Sequence, residues 1–211
     1  MAYIDDADLD ARLRSRLDPL DFTAGWADPP PFSDFDLVPE ARPATRGPLK
    51  PAAVLAPIVR RPEGFTLLLT QRTADMPTHA GQIAFPGGRI QADDDGPVAA
   101  ALRETHEEVG VEPRFITPLG AIPAYETVTG YRVAPIVGYV DPGFTLRPDP
   151  REVADVFEAP LAFLMNPANH ERRETEWQGG RRAFFVMPFE NRFIWGATAG
   201  MIKRLYERLY L

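Results

Sequence analysis

The sequence predicts an α/β protein with a mixed sheet, in which a domain at residues 51–211 follows an N-terminal arm at residues 1–50. Three observations support this class. Apolar runs of strand length recur from residue 52 onward, one strong helix pattern covers residues 97–109, and the first 50 residues are rich in proline. Strands joined by hairpins and by longer connections, with helices before and after them, are typical of mixed α/β domains.

Composition restricts the function classes. The chain has 211 residues, 45% hydrophobic and 25% charged, which is typical of a soluble globular protein. It has no cysteine, which excludes disulfides, thiolate zinc sites and cysteine nucleophiles and fits a reducing cytoplasm. The net charge of -7 argues against nucleic-acid binding, and no apolar run reaches the roughly 18–20 residues that span a bilayer. The acidic N-terminus does not resemble a secretory signal. We therefore expect a cytoplasmic protein without nucleic-acid or membrane partners.

The arm should begin with a short helix. Leu9, Leu13 and Leu17 recur every four residues within residues 6–17, which predicts an amphipathic helix. From residue 18 to residue 51 proline is frequent, so we expect an extended, irregular segment. The arm contains no recognisable chemical motif.

The domain should open with a hairpin. Its strands are AAVLAPIVRR at 52–61 and TLLLTQR at 66–72, and QIAF at 82–85 predicts a third strand that stops at Pro86-Gly87-Gly88. The remaining predicted elements are strands at 114–122 and 132–140, a mixed segment at 153–165, a hairpin at 171–187 with its turn at Gly179-Gly180, and a helix at 201–211.

The helix predicted at 97–109 has clear end signals. Pro97 suits a first helical turn, Asp95 or Gly96 can cap it, and Gly110 suits its end. Glu104, Glu107 and Glu108 would lie within one sector of this helix, because the helix advances about 100° per residue.

This acidic cluster breaks two rules of helix design. Glu104 and Glu108 place like charges four residues apart, and all three glutamates lie in the last turns, where the helix dipole disfavours anions. One explanation is a solvated acidic face. The other is a hard divalent cation such as Mg²⁺, which prefers carboxylate oxygens, water and substrate phosphates as ligands. The preceding Gly87-Gly88 would place bare backbone near the same helix.

The two segments together resemble the signature of the Nudix hydrolases, G-x5-E-x7-R-E-U-x-E-E-x-G-U, where U is apolar. The matching residues are Gly88, Arg103, Glu104, Glu107, Glu108, Gly110 and Val111. The loop is one residue longer than in the signature, with Asp95 at the place of the first glutamate, and Thr105 occupies an apolar position.

A second motif resembles that of the coenzyme A (CoA) pyrophosphatase subgroup. Its matching residues are Leu68, Leu69, Thr70, Arg72, Gly81, Phe85, Pro86, Gly87 and Gly88. The longer loop is also typical of this subgroup. Thr73 replaces a Ser or Ala, and Pro77 replaces an arginine that could bind phosphate with two hydrogen bonds.

The resemblance implies a Nudix-type α/β/α sandwich that uses Mg²⁺, or Mn²⁺, to hydrolyse the diphosphate bond of CoA or an acyl-CoA. By motif position the implied metal ligands are Glu104, Glu107, Glu108 and the carbonyl of Gly88. Arg103 would orient the carboxylates. The general base is Glu104 or Glu152, and the implied substrate contacts are Arg72, His79, Arg89 and Gly87. The resemblance also implies a homodimer.

Several alternatives stay open. The substrate could instead be ADP-ribose, NADH, a dinucleoside polyphosphate or a nucleoside triphosphate, and the replacement of the subgroup arginine by Pro77 favours this reading. A non-catalytic binding module is a further alternative, which the intact acidic cluster argues against. We expect His106 to be an exposed helix residue, and Phe193 and Trp195 to lie in the core.

Overall fold

The computed structural model describes residues 6–22, 29–45, 47–76, 79–177 and 180–211. The helices are α1 (Asp6–Arg16), α2 (Gly96–Val109), α3 (Leu161–Leu164) and α4 (Gly196–Tyr210). The strands are β1 (Phe32–Ser33), β2 (Lys50–Arg61), β3 (Gly64–Arg72), β4 (Ile83–Ala84), β5 (Gly87–Arg89), β6 (Ile116–Ala121), β7 (Tyr125–Glu126), β8 (Tyr131–Val140), β9 (Val153–Pro160), β10 (Glu171–Trp177), β11 (Gly180–Phe189) and β12 (Arg192–Trp195).

Nine of the described strands form one mixed sheet. Its main order is β1-β7-β8-β2-β3-β4, with β5 paired to β2, β6 to β8 and β9 to β3. The long central strands β2 and β8 run parallel, in register from Lys50↔Tyr131 to Val59↔Val140. Strands β2 and β3 form the predicted antiparallel hairpin. The mixed α/β class predicted from the sequence is therefore confirmed.

Alternation along β2 divides the core into two layers. Ala53, Leu55 and Val59 face α2, whereas Ala56 and Ile58 face the layer that contains α1, α3, α4 and a second sheet. A strand buried on both faces directs successive side chains to opposite sides. The sheet thus lies between helical layers, which is the sandwich that the sequence predicts.

The second sheet has the described order β10-β11-β12. Strands β10 and β11 form the predicted hairpin, with Cα partners from Glu171↔Val186 onward, and its turn at residues 178–179 lies outside the described residues. Strand β12, which the sequence pattern does not predict, pairs with β11 at Val186↔Trp195.

The glycine segment differs from its prediction. The expected strand at 82–85 is confirmed only as the two residues of β4, which ends before Pro86 as predicted, and the two glycines begin a separate strand, β5. Gly87 and Gly88 pair with Val54 and Ala53. Glycine permits this approach, since a Cβ on Gly87 would lie 2.6 Å from the Val54 Cα. The segment is therefore held rigidly against β2.

The helix predicted at 97–109 is confirmed as α2. It ends at Gly110, whose φ of 77° lies in the left-handed region and whose N–H donates to the carbonyl of His106. Asp95 precedes the helix without a side-chain capping hydrogen bond. Thr105, at a position that is apolar in the signature, is buried and donates its hydroxyl to the Ala101 carbonyl at 2.7 Å.

The N-terminal region packs into the fold. The predicted helix is confirmed as α1, whose Leu9 and Leu13 are fully buried in the same layer as α4. Further along, β1 pairs in parallel with β7, and the Asp34 carboxylate accepts hydrogen bonds from the Val128 N–H and the Tyr125 hydroxyl. Among the described helices, none is both long and apolar enough to cross a bilayer.

Candidate functional site

The site forms where α2 packs against β5. The Gly87 N–H donates to Glu108 Oε2 at 3.1 Å. The Glu104 carboxylate lies directly against Gly88, because a Cβ added there would be 2.5 Å from Glu104 Cδ. Both glycines thus let glutamates of the helix reach the backbone of a strand, which is the close approach that glycine allows.

Glu108 is the most buried acid of the cluster, at 5% exposure. Besides the Gly87 N–H, its carboxylate faces Arg72, whose Nη1 lies 3.7 Å from Oε1. Burial raises the pKa of the Glu108 carboxyl to about 7, against the opposing effects of the Gly87 N–H and Arg72. The site thus holds a carboxylate with little compensating positive charge.

Glu104 lies one turn earlier on the same side of α2. Its side chain is 16% exposed and accepts a hydrogen bond from Arg103 Nη1 at 2.9 Å. Burial raises the pKa of the Glu104 carboxyl despite this partner, and the negative charges of Glu107 and Glu152 add to the effect. Glu104, Glu108 and Glu152 all line one cavity.

Arg103 binds the acidic loop to the helix. Its guanidinium donates to both carboxylate oxygens of Asp94, at 2.8 and 2.9 Å, and to the Arg89 carbonyl at 3.2 Å. The acid that pairs with Arg103 is thus Asp94, one residue before the Asp95 that the sequence comparison placed at the first acid of the signature. The signal was available, since Asp94 lies six residues after Gly88, the spacing in the unextended signature.

Glu107 is the most exposed of the three glutamates and shares Arg103 Nη1 with Glu104. Its side chain is 57% exposed, and its carboxylate pairs with Arg103 Nη1 at 3.1 Å. Neither Glu107 nor Arg103 is among the residues that line the cavity, so their roles as ligand and orienting residue stay predictions.

The cavity has a volume of about 1040 Å³. Eight of the residues selected from the sequence line it: Arg72, His79, Gly87, Gly88, Arg89, Glu104, Glu108 and Glu152. We call this part of its surface the acid wall. Arg72 is notable here, because its buried Nε finds no hydrogen-bond partner among the described residues.

The other sequence-selected residues near the acid wall are also located. His79 adopts a left-handed backbone conformation, with φ of 59°, and its Nδ1 lies 2.8 Å from Gln82 Oε1. His106 is exposed, as expected. Pro77, at the place of the subgroup arginine, lies outside the described residues.

A second part of the cavity surface was not predicted. It is built from the arm, the second sheet and α4, and we call it the far wall. Its residues include Ser33, Asp34, Asp36, Leu37, Thr175, Arg182, Phe184, Trp195, Thr198, Met201 and Arg204. No local motif marks them, because these segments meet only through tertiary packing. The expectation that Phe193 and Trp195 are core residues is wrong, since they are 54% and 40% exposed.

The residues of the acid wall fit a hard divalent cation in part. Among the described residues, no three His, Cys, Asp or Glu side chains lie close enough together to hold a metal ion. The donor chemistry nevertheless suits Mg²⁺, because the carboxylates of Glu104 and Glu108 meet glycine backbone in a place where burial raises both pKa values. A cation there would compensate two charges that the chain itself leaves poorly compensated.

Comparison with known proteins gives one consistent result. A family model described as NUDIX domain matches residues 49–180. A protein of Escherichia coli K12, named as the uncharacterized Nudix hydrolase NudL, is 43% identical over 154 residues, which cover 73% of this chain and 80% of that protein. A crystal structure of the NUDIX domain of Shewanella oneidensis NrtR complexed with ADP ribose has 19% identity, covers 79% of this chain and 91% of that chain, and has a TM-score of 0.49.

Proposed function

The chain belongs to the Nudix hydrolase family, and from this premise we propose that it hydrolyses the diphosphate bond of CoA or an acyl-CoA. The products would be 4′-phosphopantetheine, or its acyl form, and adenosine 3′,5′-bisphosphate. The observation that carries the proposal is the acid wall, where Glu104, Glu108, Arg72 and two glycines line one cavity. Its volume of about 1040 Å³ suits a large substrate, since ligand pockets commonly measure about 300–1,000 Å³.

Nudix hydrolases generally need a divalent metal ion such as Mg²⁺. We propose that Glu104, Glu108 and the Gly88 carbonyl would hold it, with Glu107 as a further ligand. Mg²⁺, when bound, supplies positive charge that offsets the diphosphate oxygens and makes water more acidic.

The chain's own residues have three further tasks. Arg72 has a buried N–H without a partner among the described residues, and it can donate this group to a phosphate oxygen. The Gly87 N–H keeps the Glu108 carboxylate in position. Arg103, anchored by Asp94, holds the Glu104 carboxylate from the other side. Positioning and charge compensation of this kind account for most of the catalysis of phosphoryl transfer.

Two residues compete for the role of general base. Glu104 is in contact with the glycine segment, whereas Glu152 enters the same cavity from the loop before β9. If Glu152 accepts the proton of the attacking water, Glu152→Gln will lower kcat and leave the Mg²⁺ affinity unchanged. If Glu104 does so, Glu104→Gln will lower both quantities, because this residue is also a proposed ligand.

The choice of CoA is supported by the motif that contains Leu68, Arg72 and Phe85-Pro86-Gly87-Gly88. In the fold this motif runs along β3 and enters β5, so it lies beside the acid wall. The alternative is another nucleoside diphosphate derivative, such as ADP-ribose, NADH or a dinucleoside polyphosphate. The replacement of the subgroup arginine by Pro77 favours this alternative.

The deciding experiment is turnover of a substrate panel by the full-length protein. CoA, acetyl-CoA, ADP-ribose, NADH and a dinucleoside polyphosphate are incubated with and without Mg²⁺, and the products are identified by mass. We expect Mg²⁺-dependent release of 4′-phosphopantetheine from CoA. Turnover of another substrate of the panel would support the hydrolase activity and overturn the CoA assignment. Absence of turnover by folded protein would favour a non-catalytic binding module.

We also propose that residues 1–50 form an arm of a catalytic domain at residues 51–211, and that the protein is a homodimer. The family match begins at residue 49, which supports this boundary. Light scattering coupled to size-exclusion chromatography would test the dimer, and a monomer at the assay concentration would contradict it.

A further inference from the structure

The second sheet contributes residues to the cavity from the face that carries Trp195 and, at Ala183 and Phe185, from the opposite face. Thr175 pairs with Arg182, and Trp195 pairs with Val186. Residues two apart on a strand share a face, so Arg182, Phe184 and Val186 lie on the same side as Thr175 and Trp195. Of these, Thr175, Arg182, Phe184 and Trp195 all contribute to the cavity.

The opposite face of this sheet belongs to the core. Met187 and Ile194, the direct neighbours of Val186 and Trp195 along their strands, are fully buried and pack with the layer that contains α4. This face therefore anchors the sheet to the core, and the face that carries Phe184 and Trp195 adds aromatic surface to the cavity. Phe184 and Trp195 together form an aromatic patch on the cavity surface, and exposed apolar patches mark ligand-binding grooves in many proteins.

Trp195 lies at the junction of β12 and α4 and contacts a second aromatic ring. It is the last residue of β12 and stands immediately before α4. Gly196 makes this sharp change of direction with φ of 64°, a conformation that favours glycine. The indole also contacts the Phe184 ring, with ring centroids 5.4 Å apart and planes inclined by 59°. An aromatic ring fixed in this way can bind a planar group with little loss of conformational freedom.

We propose that Trp195 is the platform on which the planar base of the substrate stacks. The inference rests on the proposed function, because it takes the diphosphate to lie at the acid wall of the same cavity. The base end of a nucleoside diphosphate derivative then reaches the far wall, where Trp195 with its Phe184 neighbour offers an aromatic face. Stacking on an aromatic side chain tolerates different bases, since every base has a π-face. Trp195 is thereby a specificity-determining residue for nucleotide-containing diphosphates.

Phe193 provides a matched control. It lies two residues earlier on the same strand and is even more exposed than Trp195, at 54%. It does not line the cavity, and its ring is covered on one side by the Arg173 guanidinium, 5.4 Å from the ring centroid. Phe193→Ala removes an exposed aromatic ring from the same strand and the same face, without touching the proposed platform.

The test compares binding of AMP with binding of ribose 5-phosphate by calorimetry, using full-length protein with Mg²⁺. The difference in binding free energy between the two ligands measures the contribution of the base. We expect unmodified protein to bind AMP more tightly than ribose 5-phosphate. Trp195→Ala should lower the ratio of the two affinities about tenfold, whereas Trp195→Phe should keep most of it. Phe193→Ala should behave as unmodified protein. In kinetics with CoA, Trp195→Ala should raise KM by a similar factor and leave kcat within about twofold.

The outcomes separate the two proposals. An unmodified protein without preference for AMP, or a preference that survives in Trp195→Ala, would overturn the platform. An AMP preference that depends on Trp195, in a protein that does not hydrolyse CoA, would retain the platform and overturn only the CoA assignment. Equal losses in Trp195→Ala and Phe193→Ala would also overturn it, since they would indicate a general disturbance of β12.

Discussion

The two walls of the cavity are built in opposite ways. Five residues of the acid wall come from one stretch of about twenty residues, Gly87 to Glu108, in which a short strand and one helix carry the chemistry. The far wall combines residues 33–37 with residues between 175 and 204, which lie more than 130 positions later in the chain. Under the proposed function, local spacing would specify the reaction chemistry, whereas the complete fold would specify the substrate.

Among these substitutions, Glu108→Gln in the acid wall should have the largest effect on activity. The change removes a buried negative charge and keeps the size of the side chain. We expect kcat for CoA to fall about 10³-fold, the order associated with losing an electrostatic or acid–base group. Mass detection of 4′-phosphopantetheine measures the loss. His106→Ala, an exposed change on the same helix, should retain full activity, and equal activity of Glu108→Gln and unmodified protein would refute the role of the acid wall.

Gly88→Ala tests whether the acid wall needs bare backbone. The added Cβ would lie 2.5 Å from Glu104 Cδ, so the carboxylate must move. A displacement of this size should lower kcat/KM about 10²-fold and weaken Mg²⁺ binding. Gly47→Ala is the control, because a Cβ there meets nothing within 4 Å. Normal Mg²⁺-dependent stabilisation in Gly88→Ala would show that Glu104 does not need this contact.

Asp94→Asn tests the anchor of the acid wall through stability and pH. It removes a charged partner of Arg103, and we expect a loss of about 2 kcal/mol in the free energy of unfolding at pH 7. Arg103 holds the pKa of the Asp94 carboxyl below its ordinary value. The contribution is therefore complete above about pH 4 and disappears as the pH falls through the lowered pKa.

Denaturant unfolding at pH 7 and at acidic pH checks this prediction. The curves of Asp94→Asn and unmodified protein should converge in acid. Asp93→Asn, which changes an exposed neighbour, is the control and should leave the free energy of unfolding unchanged at both pH values. A gap between Asp94→Asn and unmodified protein that stays constant with pH would exclude the ion pair as its cause.

Asp34→Ala tests the far wall and should have the smallest effect. It removes the acceptor of the Val128 N–H and the Tyr125 hydroxyl and so loosens the arm beside the cavity. We expect KM for CoA to rise about fivefold with kcat nearly unchanged, which corresponds to about 1 kcal/mol of binding free energy. Glu40→Ala, an exposed change on the same arm, should have no effect. A fall in kcat without a change in KM would contradict the division of roles between the two walls.

The sequence predicted most of what depends on local pattern. Helices α1 and α2, the first hairpin and the acid-bearing face with Glu104 and Glu108 follow from residue spacing, since apolar periodicity and glycine positions act over a few residues. The same reasoning assigned Asp95 instead of Asp94, because the choice between adjacent acids depends on how Arg103 folds back over the loop.

Other features depended on tertiary packing. The sequence of residues 87–89 is typical of a turn. These residues form a strand because they pair with β2. The sequence favoured a core position for Trp195, because composition does not distinguish a sheet face that packs in the core from one that lines a cavity. The arm carried no motif, yet its Asp34 borders the same cavity as Glu108.

The pairing of α1 with α4 has a consequence for synthesis of the protein. Arg12 donates to the Leu209 carbonyl across 197 positions of the chain, and Leu9 and Leu13 are buried in the layer that contains α4. A ribosome adds about 5–20 residues per second. The first helix therefore waits on the order of 10–40 s before the helix that completes its packing has been synthesised. During that interval the nascent chain offers an apolar helix face to chaperones, and the last helix to emerge is the one that covers it.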